Sequence, residues 1–280
     1  MKKTRCMFGL ALSLGVLFAS CSQSLEVEDQ LGSEQGRLNV TLKSGTELFV
    51  GTRALNEASY ANTDNYTVIV TNKDGQEVVN CSGSELANYM PLTMPIGSYV
   101  VKAFYGEELA ASRDRFYVYG EEMGSIKAEQ EEPVVLTCTP TCGRITVNFA
   151  EEMATFYSNY NVVFSGTKAI TDHELKYDSP GFVKWNKDDK APWYVKLEPN
   201  GENVSFELVV TTKDEYINIE NSNQVLTKKG TFSLARNKAY KMNINPVYTP
   251  TTQGKLDITV TIDESTNDTE HDIEVDVDWI

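Results

Sequence analysis

The chain has 280 residues, with 40 Asp and Glu against 25 Lys and Arg, and a net charge of −15. That length accommodates two domains of ordinary size. The acidity argues against binding nucleic acid through phosphates and against adsorption to an anionic membrane, since both need a basic face.

The first residues carry a basic start, Lys2-Lys3-Thr4-Arg5, followed by an apolar run from Met7 to Ala19. The run is shorter than the roughly 20 residues of a spanning helix and has the proportions of a secretory signal peptide. Leu17-Phe18-Ala19-Ser20-Cys21 resembles the lipobox of bacterial lipoproteins, with Phe18 where Leu is commoner. Cleavage before Cys21 and lipidation of its sulfur are therefore expected. Each buried methylene contributes about 0.8 kcal/mol and two or more acyl chains anchor stably, so a lipidated Cys21 takes the place of a transmembrane segment. The leader carries away three positive charges (Lys2, Lys3 and Arg5), which moves the net charge from −15 to −18. Residues 21–36 are polar and acidic without apolar periodicity and read as a flexible tether.

From Arg37 the chain alternates, with Leu38, Val40 and Leu42 set against Asn39, Thr41 and Lys43, the period of a half-buried strand. A polar stretch from Thr52 to Asn65 leads to a compact strand, Tyr66 to Thr71. A turn at Asp74-Gly75 and a hairpin partner from Gln76 to Asn80 follow. Ser84 to Tyr89 is expected to form one helical turn capped by Ser84. Beyond a turn at Pro95-Ile96-Gly97, the strand Ser98 to Tyr105 places Tyr99, Val101, Ala103 and Tyr105 on one face. Phe116 to Tyr119 and Pro133 to Cys138 are further strands, and the pattern breaks at Thr139-Pro140-Thr141.

Alternation restarts with Arg144 to Phe149. Glu151 to Ser158 reads as a short helix or a loop, and Tyr160 to Phe164 as a strand. Thr167 to Lys190 reads as a long polar stretch with a turn at Pro180-Gly181. Strands Trp193 to Leu197 and Val204 to Thr211 flank a turn at Pro199-Asn200-Gly201. A polar excursion from Lys213 to Lys229 precedes strands at Gly230 to Leu234, at Ala239 to Ile244 and around Leu256, Ile258 and Val260. The last strand sets Ile273, Val275, Val277 and Trp279 on one face. Short strands, turns rich in Gly, Pro and Asp, and the lack of a convincing amphipathic helix predict an all-β chain of two tandem sandwiches. The expected division is a signal peptide at 1–20, a lipidated tether at 21–36, an N-terminal β-sandwich at 37–139 and a C-terminal one at 140–280.

With Cys6 in the leader and Cys21 lipidated, Cys81, Cys138 and Cys142 remain, an odd number that excludes a fully paired disulfide scaffold. Cys138 and Cys142 would stand about 13 Å apart on a straight strand, beyond disulfide reach. A turn at Pro140 could bring them together, so a bridge stays open beside the expected buried or free thiols. A zinc site lacks a fourth ligand.

The lipobox is accompanied by Gly36-Arg37-Leu38-Asn39-Val40, by Thr52-Arg53-Ala54 in a polar loop, and by Pro95-Ile96-Gly97-Ser98-Tyr99-Val100-Val101-Lys102-Ala103. A mid-chain hinge runs from Val135 to Val147 through Cys138-Thr139-Pro140-Thr141-Cys142-Gly143. Together these resemble a Bacteroidetes outer-membrane lipoprotein family that carries a domain of unknown function and is fimbrillin-like in style. The resemblance implies transthyretin-like or Ig-like β-sandwich domains lipid-anchored at the outer membrane, facing the cell exterior. Fimbrillin-type proteins can polymerise: an arginine-specific protease removes an N-terminal strand, and the groove accepts a strand from another subunit by β-strand addition. The implied processing site is Arg53, whose plainer alternative is a solvated loop residue. The implied donor is Ile273 to Ile280, whose alternative is an edge strand of its own sandwich. Partners would be further copies of the chain or other fimbrial subunits.

No Gly-x-Ser-x-Gly motif or phosphate loop occurs, and His173 and His271 have no nucleophile motif beside them. No enzyme, catalytic residue or cofactor is assigned. Asp263, Glu264, Asp268, Glu270 and Asp272 offer oxygen ligands for calcium, but their spacing matches no EF-hand loop. A solvated acidic loop is expected there, and no metal is assigned. Trp185, Trp193 and Tyr194 flank a polar turn and would suit a sugar-binding platform, although aromatics in sandwiches are more often core. The expected function is a non-catalytic adhesive or fimbria-like surface component. The alternative is a stationary glycan-binding lipoprotein for host or dietary glycans that does not polymerise.

Overall fold

A computed structural model describes residues 32–46, 58–172, 181–217, 225–250, 255–265, 270–274 and 278–279. The described chain is all-β. In the first half the strands are β1 (Gln35–Ser44), β2 (Thr67–Asn72), β3 (Glu77–Ser82), β4 (Leu92–Pro95), β5 (Gly97–Gly106), β6 (Ala111–Ser112), β7 (Tyr117–Ile126) and β8 (Glu131–Pro140). The second half supplies β9 (Cys142–Phe149), β10 (Tyr157–Ser165), β11 (Phe182–Asn186), β12 (Trp193–Lys196), β13 (Glu202–Thr212) and β14 (Val225–Leu234). It continues with β15 (Ala239–Thr249), β16 (Lys255–Ser265), β17 (Glu270–Glu274) and β18 (Asp278–Trp279). Short helical turns lie between them, none long and apolar enough among the described residues to cross a membrane.

Seven strands of the first half form one sheet in the order β3-β2-β5-β7-β8-β1-β4. β7 meets β8 at Val118–Pro140 and Tyr119–Thr139, near the end of β8. The sheet folds there, so that β8, β1 and β4 face the other four strands. Two glycines of β7 allow the close approach. A Cβ on Gly120 would lie 2.8 Å from the Thr137 carbonyl oxygen, and one on Gly124 would lie 3.1 Å from Val134. Alternate residues of both layers fill one core, with Leu38 and Val40 packed among Val68, Val70, Val101, Ala103, Val134 and Leu136. Side chains of this size contribute about 1.5–3 kcal/mol each when fully buried.

The second half has two sheets, β11-β10-β13-β14-β18 and β17-β16-β15-β9-β12-β6. Their inward residues form a second core that includes Phe164, Trp185, Phe206, Met242, Ile244 and Ile258. Two features tie the halves together. β6, from the first half, pairs with β12 at the edge of a second-half sheet, and Tyr194 of β12 packs into the first core.

The structure departs from the pattern reading where charge or proline obscured a strand. β14 begins at Val225, inside what reads as a polar excursion. Its inward position Lys228 is only 5% exposed; the ammonium donates to the Ile258 carbonyl and pairs with Asp257 at 2.9 Å. β11 lies within the polar stretch, with Lys184 between buried Val183 and Trp185. Thr139 and Pro140 continue β8 and do not break it. The helical turn near Ser84 is capped two residues earlier, by Ser82, whose N–H and hydroxyl both donate to Glu85. The predicted last strand is divided: β17 pairs with β16 in one sheet, and β18 pairs with β14 in another.

Candidate functional site

β1 is the first described strand, yet it lies inside its sheet. On one side it runs parallel to β8, from Arg37 opposite Glu131 to Ser44 opposite Cys138. On the other it pairs antiparallel with β4, from Gln35 opposite Pro95 to Leu38 opposite Leu92. Loop contacts continue the pairing: Arg37 N–H donates to Gln130 O at 2.8 Å, and Gly45 N–H donates to Cys138 O at 2.8 Å. Gly36 is required at the entrance, because a Cβ there would sit 2.2 Å from the Lys127 carbonyl oxygen. Leu38 and Val40 point inward and are buried.

Chemically, β1 occupies a slot: two strand edges rich in donors and acceptors, with an apolar floor that takes every second side chain. An extended segment with apolar residues at that spacing, and with glycine at the position of Gly36, satisfies the same requirements. Arg53 lies outside the described residues, in the stretch that leaves β1. The chain re-enters at Ala58–Ala61, where Tyr60 stacks on Phe116 with centroids 3.9 Å apart. The Tyr60 carbonyl accepts from the Tyr66 hydroxyl at 2.6 Å.

The aromatic trio proposed as a glycan platform is core. Trp185, Trp193 and Tyr194 are 0%, 3% and 2% exposed. The indole of Trp185 donates to Ala191 O at 2.8 Å, that of Trp193 donates to Lys184 O at 3.1 Å, and Tyr194 stacks on Phe116. Arg113, reaching from just after β6, covers the rings, with its guanidinium carbon 4.5 Å from the Trp193 centroid and 5.7 Å from that of Trp185. It also forms a two-pronged pair with Asp189 at 2.9 and 2.7 Å. A cleft of about 630 Å³ opens beside this pair, lined in part by Asp114, Lys184 and Asn186. Sequence reading passed over Arg113 because its partners lie some 70 residues away and nothing local distinguishes it from the neighbouring Arg115.

Cys81, Cys138 and Cys142 are free and buried, so no bridge joins Cys138 to Cys142. Burial pushes the Cys138 thiol up to about 12 and raises that of Cys142 as well. Asp263 accepts from the Asn243 amide at 2.7 Å, and Glu264 pairs with Lys238 at 3.5 Å. Each of these two acids thus has a protein partner. Cys21, His173 and Asp268 lie outside the described residues. Among the described residues no cluster of three or more His, Cys, Asp or Glu could hold a metal ion.

Residues 34–277 match the family model described as a domain of unknown function, DUF4493. No curated protein matches the chain. Among solved structures, the chain is similar to a candidate adhesin from Bacteroides ovatus, at 9% identity over 86% of this chain and 96% of that one, with a TM-score of 0.44. It is also similar to candidate polysaccharide-binding proteins (DUF1812) from Bacteroides thetaiotaomicron VPI-5482, at 14% identity over 85% and 98%, with a TM-score of 0.40. A third similar structure is a candidate cell adhesion protein from Bacteroides eggerthii DSM 20697, at 10% identity over 81% and 96%, with a TM-score of 0.38. With the family match running across nearly all of the strands described above, the chain belongs to the DUF4493 family.

Proposed function

We propose that this protein is a non-catalytic, lipid-anchored surface component of the outer membrane, adhesive or fimbria-like in role. The observation that carries the reading is the position of β1: the first described strand fills an interior slot, paired on both sides. Loss of β1 would open a groove with two unpaired edges and an apolar floor. A strand from another copy, or from another fimbrial subunit, is the natural occupant. In this reading Cys21 holds the lipid of the precursor, and a cut after Arg53 releases β1 together with the lipidated segment that precedes it. The chain is divided into sandwiches at 37–139 and 140–280, a division supported by the two separate cores. β6, Tyr194 and Arg113 then act as ties across it.

An unboiled gel of the native outer-membrane fraction, blotted for this protein, tests the reading. A ladder that collapses on boiling, with a mature N-terminus at Ala54, is the expected result. A single band that starts at Cys21 would remove processing at Arg53 and leave the alternative, a stationary surface glycan-binding lipoprotein.

A further inference from the structure

The two halves repeat one strand order. In the first, β3-β2-β5-β7 leads into β8-β1-β4; in the second, β11-β10-β13-β14 is matched by β15-β9-β12 in the other sheet. β9 thus stands to its half as β1 stands to the other. The two strands also share a sequence pattern. Gly36-Arg37-Leu38-Asn39-Val40-Thr41-Leu42 and Gly143-Arg144-Ile145-Thr146-Val147-Asn148-Phe149 both read Gly, Arg and then apolar residues at alternate positions. Each pairs in parallel with the corresponding strand of its own half, β1 with β8 at eight positions and β9 with β15 at six. Every other pairing among the described strands is antiparallel.

Parallel pairing fixes how tension acts. Arg37 lies beside Glu131 and Ser44 beside Cys138. The chain therefore enters β1 at the end where β8 begins, and leaves β8 at the far end, Pro140. Tension between the N-terminal side and the second half pulls β1 and β8 in opposite senses along their own axes. The ladder bonds between them are then loaded together, and the buried Leu38 and Val40 oppose the same sliding motion. In an antiparallel pair joined by a turn, tension on the two free ends opens the bonds one at a time.

The junction between the halves adds no slack. Only Thr141 separates β8 from β9. It is buried, its N–H donates to Tyr117 O at 3.0 Å, and its carbonyl accepts from Leu197 N–H at 3.1 Å. β9 takes up the load at Cys142 and passes it to β15 in the same sense, with Arg144 beside Ala239 and Phe149 beside Ile244.

We infer that the molecule is a load-bearing element, with two shear clamps, β1–β8 and β9–β15, arranged in series. They keep the folded chain intact under tension from its N-terminal side. The inference goes beyond the adhesive reading and concerns the uncut chain.

The test is single-molecule pulling on the chain from residue 21 onward, with Cys21→Ser so that only introduced thiols carry handles; Cys81, Cys138 and Cys142 are buried. One pair of handles, Ser33→Cys with Glu198→Cys, loads β1 from its start against the junction, because Glu198 follows the Leu197 that bonds to Thr141. The other, Lys43→Cys with Glu198→Cys, pulls β1 from its far end, where Ser44 lies beside Cys138, and peels it from β8. Ser33, Lys43 and Glu198 are exposed, so both variants should melt at the wild-type temperature. The contacts are the same in both experiments and only the direction of pull differs. Rupture at a several-fold higher force is expected for the Ser33 pair, since forced unfolding reads the unfolding barrier. Equal forces, or a higher force at Lys43, would overturn the clamp. The boiling-sensitive ladder reads processing and assembly separately. Loss of the direction dependence leaves the adhesive reading standing, and a single band that starts at Cys21 leaves the clamp standing.

Discussion

The first and last described strands are held in opposite ways. β1 is paired along both edges, eight positions to β8 and four to β4, and it sends Leu38 and Val40 into a core. β18 sits at the edge of its sheet and pairs with β14 at two positions, Trp279 with Lys228 and Asp278 with Lys229. A strand buried on both edges is costly to lose and leaves a specific gap, while an edge strand leaves little behind. The difference is the one on which the proposed reading rests: loss of β1 would leave a slot shaped for a strand, and loss of β18 would not.

The comparison breaks most sharply at Leu38. Leu38→Ala should cost about 2–5 kcal/mol, as expected for a fully buried leucine whose cavity cannot collapse. Denaturant unfolding measures it. A loss below about 1 kcal/mol would mean that β1 is not held as tightly as its pairing indicates. Truncation before Asp278 should lower the melting temperature by less, since it breaks only the paired positions at β18.

Between these extremes lies Arg113. Arg113→Ala removes the two-pronged pair with Asp189 and uncovers Trp193. Arg113 and Asp189 remain about a quarter exposed, so the cost should be about 1–3 kcal/mol, in the range of charged hydrogen bonds and less than that of a fully buried pair. The rise in Trp fluorescence quenching by iodide is a second readout.

Further effects come from buried groups that titrate or carry charge. Cys81, Cys138 and Cys142 should resist a thiol reagent until the chain unfolds and then react together. Cys138 titrates higher when folded than when unfolded, because burial disfavours the thiolate. Its contribution to stability is therefore complete below the ordinary thiol value of about 9 and is lost as pH rises towards about 12. Denaturant midpoints between these pH values check the direction. Lys228→Met keeps the apolar stem buried but removes the ammonium that donates to the Ile258 carbonyl and pairs with Asp257, so stability should fall by about 1–3 kcal/mol in denaturant unfolding.

The sequence by itself determined the all-β class and most of the strands, because alternation with period two is a local property that β2, β5 and β9 display without outside help. The family resemblance, to a Bacteroidetes group with a domain of unknown function, was legible from strand openings and turns spread along the chain. Tertiary structure alone decided the rest. Lys228 faces inward because a carbonyl and a carboxylate from β16 meet its ammonium. Trp185 and Trp193 are buried because Arg113 arrives from another part of the chain to cover them. Tyr248 stays 45% exposed although Phe156 stacks against its ring. Burial of a charge or exposure of a ring depends on which distant residue stands opposite, and no local pattern encodes that.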